Sequence, residues 1–167
     1  MYTRNLLWLV SLVSAAPLYA ADVPANTPLA PQQVFRYNNH SDPGTLDPQK
    51  VEENTAAQIV LDLFEGLVWM DGEGQVQPAQ AERWEILDGG KRYIFHLRSG
   101  LQWSDGQPLT AEDFVLGWQR AVDPKTASPF AGYLAQAHIN NAAAIVAGKA
   151  DVTSLGVKAT DDRTLEV

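Results

Sequence analysis

Two pairs of adjacent carboxylates, Glu52–Glu53 and Asp161–Asp162, are the residues best suited to acid–base chemistry. Two neighbouring carboxyl groups can hold their pKa values apart, so that one donates a proton while the other accepts one. Adjacent residues on an irregular segment seldom converge on one substrate, however, and solvated loop charge is the simpler interpretation. A secreted hydrolase that uses Glu52 and Glu53 stays as the enzyme alternative, and Glu52→Ala would abolish its turnover.

The three histidines offer no metal or nucleophile site. His40, His96 and His138 lie far apart in the sequence, and neither H-E-x-x-H nor G-x-S-x-G occurs. The chain has no cysteine, which excludes disulfides and thiolate metal sites. His96 falls in an alternating segment, where a half-exposed strand residue is expected. The residues therefore predict a protein that is not an enzyme and that needs no cofactor or metal.

Charge and composition narrow the class of partner. The 167 residues include 12 basic and 20 acidic side chains, for a net charge of −8. No cluster of Lys and Arg is present, which argues against binding nucleic acid or a polybasic contact with a membrane. A hydrophobic fraction of 46% with five tryptophans indicates a folded chain, and its length permits one domain of ordinary size.

The elements that position these residues are organised around the stretch from Tyr93 to Pro124. Tyr93–Leu97 predicts a strand, and turns follow at Ser99–Gly100 and Trp103–Gly106. Thr110 then begins a helix, with Asp113 in the reciprocal capping position. Helical spacing gives that helix one apolar face, made of Phe114, Val115, Trp118, Ala121 and Val122.

Shorter elements are predicted on both sides of this stretch by apolar spacing and by turn residues. They are a strand at Val34–Asn38, a helix at Thr55–Glu65 that Gly66 ends in a left-handed conformation, a strand at Leu67–Met70 with a hairpin turn at Asp71–Gly74, a turn at Asp88–Gly90, a helix at Phe130–Ala137 capped by Ser128, a helix at Ala142–Ala147, and two final strands joined at Asp161–Asp162.

The first residues have the pattern of a secretory signal peptide. Arg4 supplies the positive charge, Leu6–Leu18 is apolar, and Leu18–Ala20 resembles a cleavage box. About 13 apolar positions are too few to span a membrane, which needs roughly 20. We therefore expect Met1–Ala20 to be removed on export.

The central stretch resembles the signature region of the periplasmic oligopeptide- and dipeptide-binding proteins of ABC importers. In that family an L-R-x-G-x-x-W-S-D-G-x-P-x-T-A-x-D-F pattern precedes a helix that ends in W-Q-R-x-x-D-P. The matching residues here are Leu97, Arg98, Gly100, Trp103, Ser104, Asp105, Gly106, Pro108, Thr110, Ala111, Asp113, Phe114, Trp118, Gln119, Arg120, Asp123 and Pro124. The T-L-D-P, L-F-E-G-L and A-E-R-W-E runs are also typical of this family.

The resemblance implies a mixed α+β fold, within the α/β class, that is an incomplete type II periplasmic-binding-protein lobe. Residues 1–20 are the signal peptide, residues 21–64 begin the first ligand-binding lobe, and residues 65–167 form the small α+β domain that oligopeptide-binding members insert. The match covers the whole chain but only about the first third of a family member. We therefore expect a fragment, or the product of an interrupted gene.

By the same resemblance, the protein is a solute-binding subunit, expected to be monomeric, that passes peptides to a membrane-embedded ABC permease. The positions that correspond to ligand-facing residues are Glu52, Glu53, Asn54 and Phe130. Glu52 is a partner for a cationic group, whereas the backbone of Glu53 and Asn54 approaches the ligand. Trp103, Trp118 and Asp105 are assigned to structure, as buried aromatics and a turn carboxylate.

Three departures from the family pattern leave the ligand open. The chain has E-E-N-T where relatives favour E-G-V-P, Phe130 where they often have tyrosine, and Leu61 where a basic residue is common. These changes favour a small amphipathic solute or a modified peptide as the alternative to plain peptides. A secreted chaperone-like module that holds unfolded chains is a further alternative, because severed strands would expose apolar surface.

Overall fold

The computed structural model describes residues 27–28, 31–32 and 34–167, so the predicted signal peptide lies outside the described residues. The chain separates into one unit that ends at Asn38 and a compact unit from Asn39 to Val167. In the first unit, the rings of Phe35 and Tyr37 stack with centroids 6.0 Å apart. The predicted strand at Val34–Asn38 is wrong, because none of the strands in the described part of the chain pairs with it.

The compact unit contains helices and antiparallel strands in mixed order. They are α1 (Asn54–Leu63), β1 (Val68–Met70), β2 (Val76–Pro78), β3 (Ala81–Leu87), β4 (Arg92–Leu97), α2 (Ala111–Val122), α3 (Ala131–Gln136), α4 (Ala142–Val146), a 3-10 turn (Val152–Ser154), β5 (Lys158–Asp161) and β6 (Thr164–Glu166). Strands β1 and β2 form a hairpin, and the other four form one sheet in the order β3-β4-β6-β5. The 3-10 turn has no counterpart among the predicted elements. No helix among the described residues is long and apolar enough to cross a membrane.

The strand–turn–helix unit predicted between Tyr93 and Pro124 is confirmed. After β4, the carbonyl oxygen of Trp103 accepts a hydrogen bond from the Gly106 amide at 2.9 Å and closes the second turn. The Thr110 amide then donates to Oδ2 of Asp113 at 2.7 Å. This reciprocal cap satisfies a backbone donor that the first turn of α2 would otherwise leave unpaired.

The apolar face of α2 packs on one face of the four-stranded sheet. Val115 and Val122 of the helix are buried, as are Leu97 of β4 and Leu165 of β6. The other side chains of this core are Leu67, Ala81, Ala111, Ala142, Ile145, Leu155 and Val157. The opposite face of the sheet carries cross-strand ion pairs, because successive side chains of a strand point to opposite faces. One of these pairs joins Lys158 Nζ to Glu166 Oε1 at 3.1 Å.

Helix α1 ends earlier than the sequence predicts. Phe64 adopts an extended conformation with φ −123°, and its amide still donates to the carbonyl of Val60. Gly66 is not among the glycines with positive φ, so its predicted role as a left-handed stop is wrong. The helix ends because Phe64 turns its backbone away, two residues before the glycine.

Two further predictions need correction. Trp103 is not buried: it is 42% exposed, because its turn projects the indole beyond the core. Trp118 does pack against the core, and Asp105 accepts a hydrogen bond from the Gln107 amide as a turn carboxylate should. The helix predicted to begin at Phe130 begins at Ala131, with Phe130 in the capping position.

Candidate functional site

The segment before α1 is tied to α2 by Arg120. Its guanidinium donates to both carboxylate oxygens of Asp47, at 3.0 and 2.6 Å, and to Oε1 of Gln49 at 2.6 Å. A bidentate arrangement fixes direction as well as distance. Asp47 Oδ1 also accepts the Gln49 amide at 3.1 Å, which closes the turn.

Gln49 and Ser128 join this segment to the start of α3. The side-chain amide of Gln49 donates to the Gly117 carbonyl at 2.6 Å, and Ser128 Oγ donates to the Gln49 carbonyl at 2.7 Å. The Phe130 amide in turn donates to Ser128 Oγ at 3.2 Å. One hydroxyl therefore connects the chain that leads into Glu52 with the chain that leads into Phe130.

The three predicted site residues at the start of α1 are exposed. Val51 is buried beside them, and Glu52, Glu53 and Asn54 follow it into solvent. Glu53 occupies the capping position of α1, and its carbonyl accepts the Ala57 amide at 2.9 Å. The N-terminus of a helix is electropositive, so two carboxylates are favourable there.

Glu53 is also placed by a close approach to Gly44. A Cβ atom at Gly44 would lie 2.9 Å from Oε1 of Glu53, so a glycine leaves room for that carboxylate. The backbone at Gly44 therefore limits where the Glu53 side chain can lie.

Phe130 is the fourth predicted site residue, and its ring is partly exposed. It is 38% exposed and meets Tyr133 edge to face, with ring centroids 6.3 Å apart. Tyr133 is more exposed still. Three grooves of about 530, 470 and 540 Å³ on the described part of the chain are lined by other residues. The four predicted site residues are thus all exposed, and none of them lines these three grooves.

The Asp47–Arg120 ion pair changes the titration of its two members. The Arg120 guanidinium lowers the pKa of the Asp47 carboxyl below its ordinary value, and the Gln49 amide acts in the same direction against the cost of burial. In return, the Asp47 carboxylate raises the pKa of Arg120. Both effects favour the charged pair at neutral pH.

The sequence did not predict the residues that join the segment before α1 to α2 and to the start of α3. Asp47 and Arg120 both belong to family-like runs, but their pairing across 73 positions leaves no local signal. Gln49 carries no signal of its own in the sequence, and Ser128 predicts only a helix cap. A search for charged residues of opposite sign in the two runs could have proposed the Asp47–Arg120 pair.

Comparison with known proteins identifies the family to which this chain belongs. Residues 75–167 match the model of the "Bacterial extracellular solute-binding proteins, family 5 Middle". The chain belongs to this family. The resemblance stated from the signature region is therefore confirmed.

Relatives of this family 5 chain include peptide-binding proteins. The periplasmic oligopeptide-binding protein OppA of Salmonella typhimurium is 50% identical over 159 residues, which are 95% of this chain and 29% of the relative. The periplasmic murein peptide-binding protein MppA of Escherichia coli is 46% identical over the same shares of the two chains. The chain thus spans about 29% of the length of these relatives.

Solved structures of the family share the fold. The structure of Haemophilus influenzae OppA in complex with RPPGFSPFR has a TM-score of 0.74 and 45% identity, over 78% of this chain and 25% of that one. The substrate-binding domain of an oligopeptide ABC transporter from Bacillus anthracis has a TM-score of 0.77 and 44% identity, over 83% of this chain and 26% of that one. The predicted mixed fold and the incomplete lobe are confirmed. The boundary predicted between residues 64 and 65 stays a prediction.

Proposed function

We propose that this chain is the N-terminal portion of a periplasmic peptide-receptor subunit of an ABC importer. The observation that carries the proposal is the 50% identity to a periplasmic oligopeptide-binding protein over 95% of the chain. In this role the protein binds its ligand and releases it unchanged to a membrane-embedded permease. It acts as a monomer without a cofactor, and an N-terminal signal peptide directs it to the periplasm.

The ligand contacts we propose are the start of α1 and Phe130. A peptide presents backbone donors and acceptors and charged ends, which a receptor can bind without reading side chains. Glu52 and Glu53 offer two carboxylates to a cationic group, and Phe130 offers an apolar edge. The Asp47–Arg120 pair and the Ser128 hydroxyl link the segments that precede these residues, which limits the backbone freedom that a ligand would have to remove.

Ligand choice within this class depends on the same residues. Glu53 adds negative charge, which favours basic peptides, and one relative has been solved with RPPGFSPFR, a peptide with arginine at both ends. Phe130 has no hydroxyl to donate, which favours a more apolar or modified peptide. The murein-peptide relative at 46% identity supports the modified peptide as the second candidate.

A chimaera tests the proposal. The matched portion of Salmonella OppA is replaced by this chain, and calorimetry follows binding of RPPGFSPFR and of a murein tripeptide, with unmodified OppA as the control. We expect binding of at least one ligand within about tenfold of the control affinity, a difference of roughly 1.4 kcal/mol. A chimaera that unfolds cooperatively on heating but binds neither ligand would refute the proposal.

The role of Glu53 is tested in the same chimaera. Glu53→Gln should weaken binding of RPPGFSPFR by about twofold to fivefold, since an exposed charge pair contributes roughly 1 kcal/mol or less. Glu73→Gln, in the β1–β2 turn, is the matched control and should leave affinity unchanged. Equal affinity of the Glu53→Gln variant and its parent would remove Glu53 from the site.

The 167-residue chain alone should bind these ligands weakly. Its proposed contacts lie on an open surface, and a ligand with one face in water leaves most of its apolar area unburied. Calorimetry of the isolated chain with RPPGFSPFR should show no submillimolar affinity. Tight binding by the isolated chain would show that these contacts suffice without a second wall.

A further inference from the structure

The sequence contains three Asp-Gly pairs, at Asp71–Gly72, Asp88–Gly89 and Asp105–Gly106. The glycine of such a pair has no Cβ to shield its amide, so that nitrogen can approach the carboxyl carbon of the preceding side chain. Attack at that carbon closes a succinimide ring. All three pairs lie in turns, where the backbone has more freedom to bring the two atoms together. The pairs differ in how firmly the structure holds the two reacting groups.

The Asp71 carboxylate is held at both of its oxygens. Oδ1 accepts the amides of Glu73 and Gln75, at 3.1 and 2.7 Å, and Oδ2 accepts Nε2 of Gln77 at 2.6 Å. These bonds lower the pKa of Asp71, with the Gln75 amide as the largest cause. They stabilise the charged form, whereas ring closure expels an oxygen as water and needs a protonated carboxyl group. Asp71 is therefore protected by position and by charge.

The Asp105–Gly106 pair is held at both reacting groups. Oδ1 of Asp105 accepts the Gln107 amide at 2.9 Å. The Gly106 amide, which would be the attacking nitrogen, donates to the Trp103 carbonyl at 2.9 Å. Both hydrogen bonds must break before the nitrogen can reach the carboxyl carbon, and each one lowers the population of reactive conformations.

Asp88 lacks both forms of protection. Its side chain is 64% exposed, and its polar contact among the described residues is one bond from Nε of Arg92 to Oδ2 at 3.0 Å. Nη1 of Arg92 also lies 3.9 Å from Oε2 of Glu166, so this cation is shared between two carboxylates. An exposed ion pair of this kind restrains its members weakly. The Gly89 amide has no acceptor in the described part of the chain, so the attacking nitrogen is available.

The backbone around Asp88 also favours the reaction. Asp88, Gly89 and Gly90 all have left-handed φ angles, of 52°, 67° and 86°. Two successive glycines give this turn more conformational freedom than other residues would, whereas an aspartate in the left-handed region carries steric strain. In an isoaspartyl product the main chain runs through the side-chain methylene of residue 88, so that strained φ angle no longer exists.

We propose that Asp88 is a site of spontaneous isomerisation to isoaspartate. The Gly89 nitrogen forms a bond to Cγ of Asp88, its proton and the carboxyl hydroxyl leave as water, and a succinimide remains. A second water molecule then opens the ring. Opening at the main-chain carbonyl gives isoaspartate, opening at the side-chain carbonyl restores aspartate, and neither an oxidant nor a cofactor is consumed. The product lengthens the β3–β4 turn by one main-chain atom. The inference does not depend on the proposed function.

Labelling with oxygen-18 measures the reaction at each pair. The 167-residue chain is incubated in mildly acidic buffer made with oxygen-18 water, since every ring opening places one solvent oxygen in the product. Mass spectrometry of its peptides then locates the label and the isoaspartyl linkage. We expect label at Asp88 to accumulate at least about fivefold faster than at Asp71 or Asp105, because each restraining hydrogen bond slows the reaction by a factor of that order. Equal rates at the three pairs, or a slower rate at Asp88, would overturn the proposal.

Two controls separate the effect of the fold from that of the sequence. In concentrated urea all three pairs lose their restraining hydrogen bonds, so the faster labelling of Asp88 should disappear. Asp88→Glu keeps the charge and should abolish label at that position, since the longer side chain closes a ring far more slowly. A preference for Asp88 that persists in urea, or label that survives Asp88→Glu, would also overturn the proposal.

Discussion

Helix α2 and helix α1 are both amphipathic, but they meet different surroundings. The apolar face of α2 lies on the sheet, where Val115 and Val122 are buried. The apolar residues at the end of α1 lie in solvent, and Leu63 is 60% exposed. The comparison shows that an amphipathic pattern predicts a helix, whereas the burial of its apolar face depends on which elements pack against it.

The core beneath α2 should be the most sensitive part of the molecule. Leu97→Ala removes a side chain that is 1% exposed and should lower the free energy of unfolding by about 2–5 kcal/mol, through lost transfer energy and a cavity. Leu63→Ala is the matched control in the isolated chain and should change the free energy of unfolding by less than about 0.5 kcal/mol. Urea unfolding measures both. Similar losses for the two variants would mean that α1 is already packed.

The close approach of the segments that contain Asn140 and Gly156 should give the next largest effect on the free energy of unfolding. A Cβ at Gly156 would lie 2.5 Å from Cβ of Asn140, so Gly156→Ala should cost about 1–3 kcal/mol by forcing the segments apart. Gly117→Ala in α2 meets no atom within 4 Å and should instead stabilise the helix by up to about 1 kcal/mol. Thermal unfolding distinguishes the two signs. A neutral Gly156→Ala would show that the loops separate easily.

The cap of α2 should contribute somewhat less to the free energy of unfolding. Asp113→Ala removes the acceptor for the Thr110 amide and should cost about 0.5–2 kcal/mol. Because α1 has no side-chain cap at Glu53, Glu53→Ala is the matched change at the other helix and should cost less than about 0.5 kcal/mol. Circular dichroism during urea unfolding compares them. An equal loss at the two positions would contradict the difference in capping.

The Asp47–Arg120 pair should have the smallest effect and a defined pH dependence. Because both side chains are partly exposed, Asp47→Asn should cost about 1 kcal/mol or less at pH 7. The folded pKa of Asp47 lies below its ordinary value of 3.8, so the contribution is full above that pH and is lost as the pH falls through the folded pKa. Melting temperatures of the two proteins should converge in acid. A constant difference would point to packing instead of charge.

Local sequence signals predicted the centre of the fold well. Strand β4, the turns after it and the Thr110–Asp113 cap depend on neighbouring residues, so spacing alone located them. Trp103 was placed wrongly because an aromatic side chain predicts burial only if a surface is present to cover it. The sequence predicted that α1 ends at Gly66, but the helix ends where Phe64 adopts an extended backbone conformation. A glycine near the end of a helical pattern does not by itself fix where the helix ends.

The candidate site was predictable only in part. Glu52, Glu53, Asn54 and Phe130 come from the family resemblance, and the structure shows them exposed near segments that Gln49 and Ser128 connect. No local pattern contains that connection, because its members are 79 positions apart. Whether the four residues bind a ligand stays a prediction.

The interior position of β6 affects the order in which the chain can fold. The carbonyl of Arg163 accepts the Leu97 amide at 2.8 Å, across 66 positions. Strands β3 and β4 leave the ribosome before β6, and one side of β4 then has no partner until Thr164–Glu166 have been synthesised. Non-local strand pairing of this kind is slow, so the nascent chain passes through a long interval with an open hairpin. A chaperone that holds emerging chains would find β4 accessible during that interval and hidden afterwards.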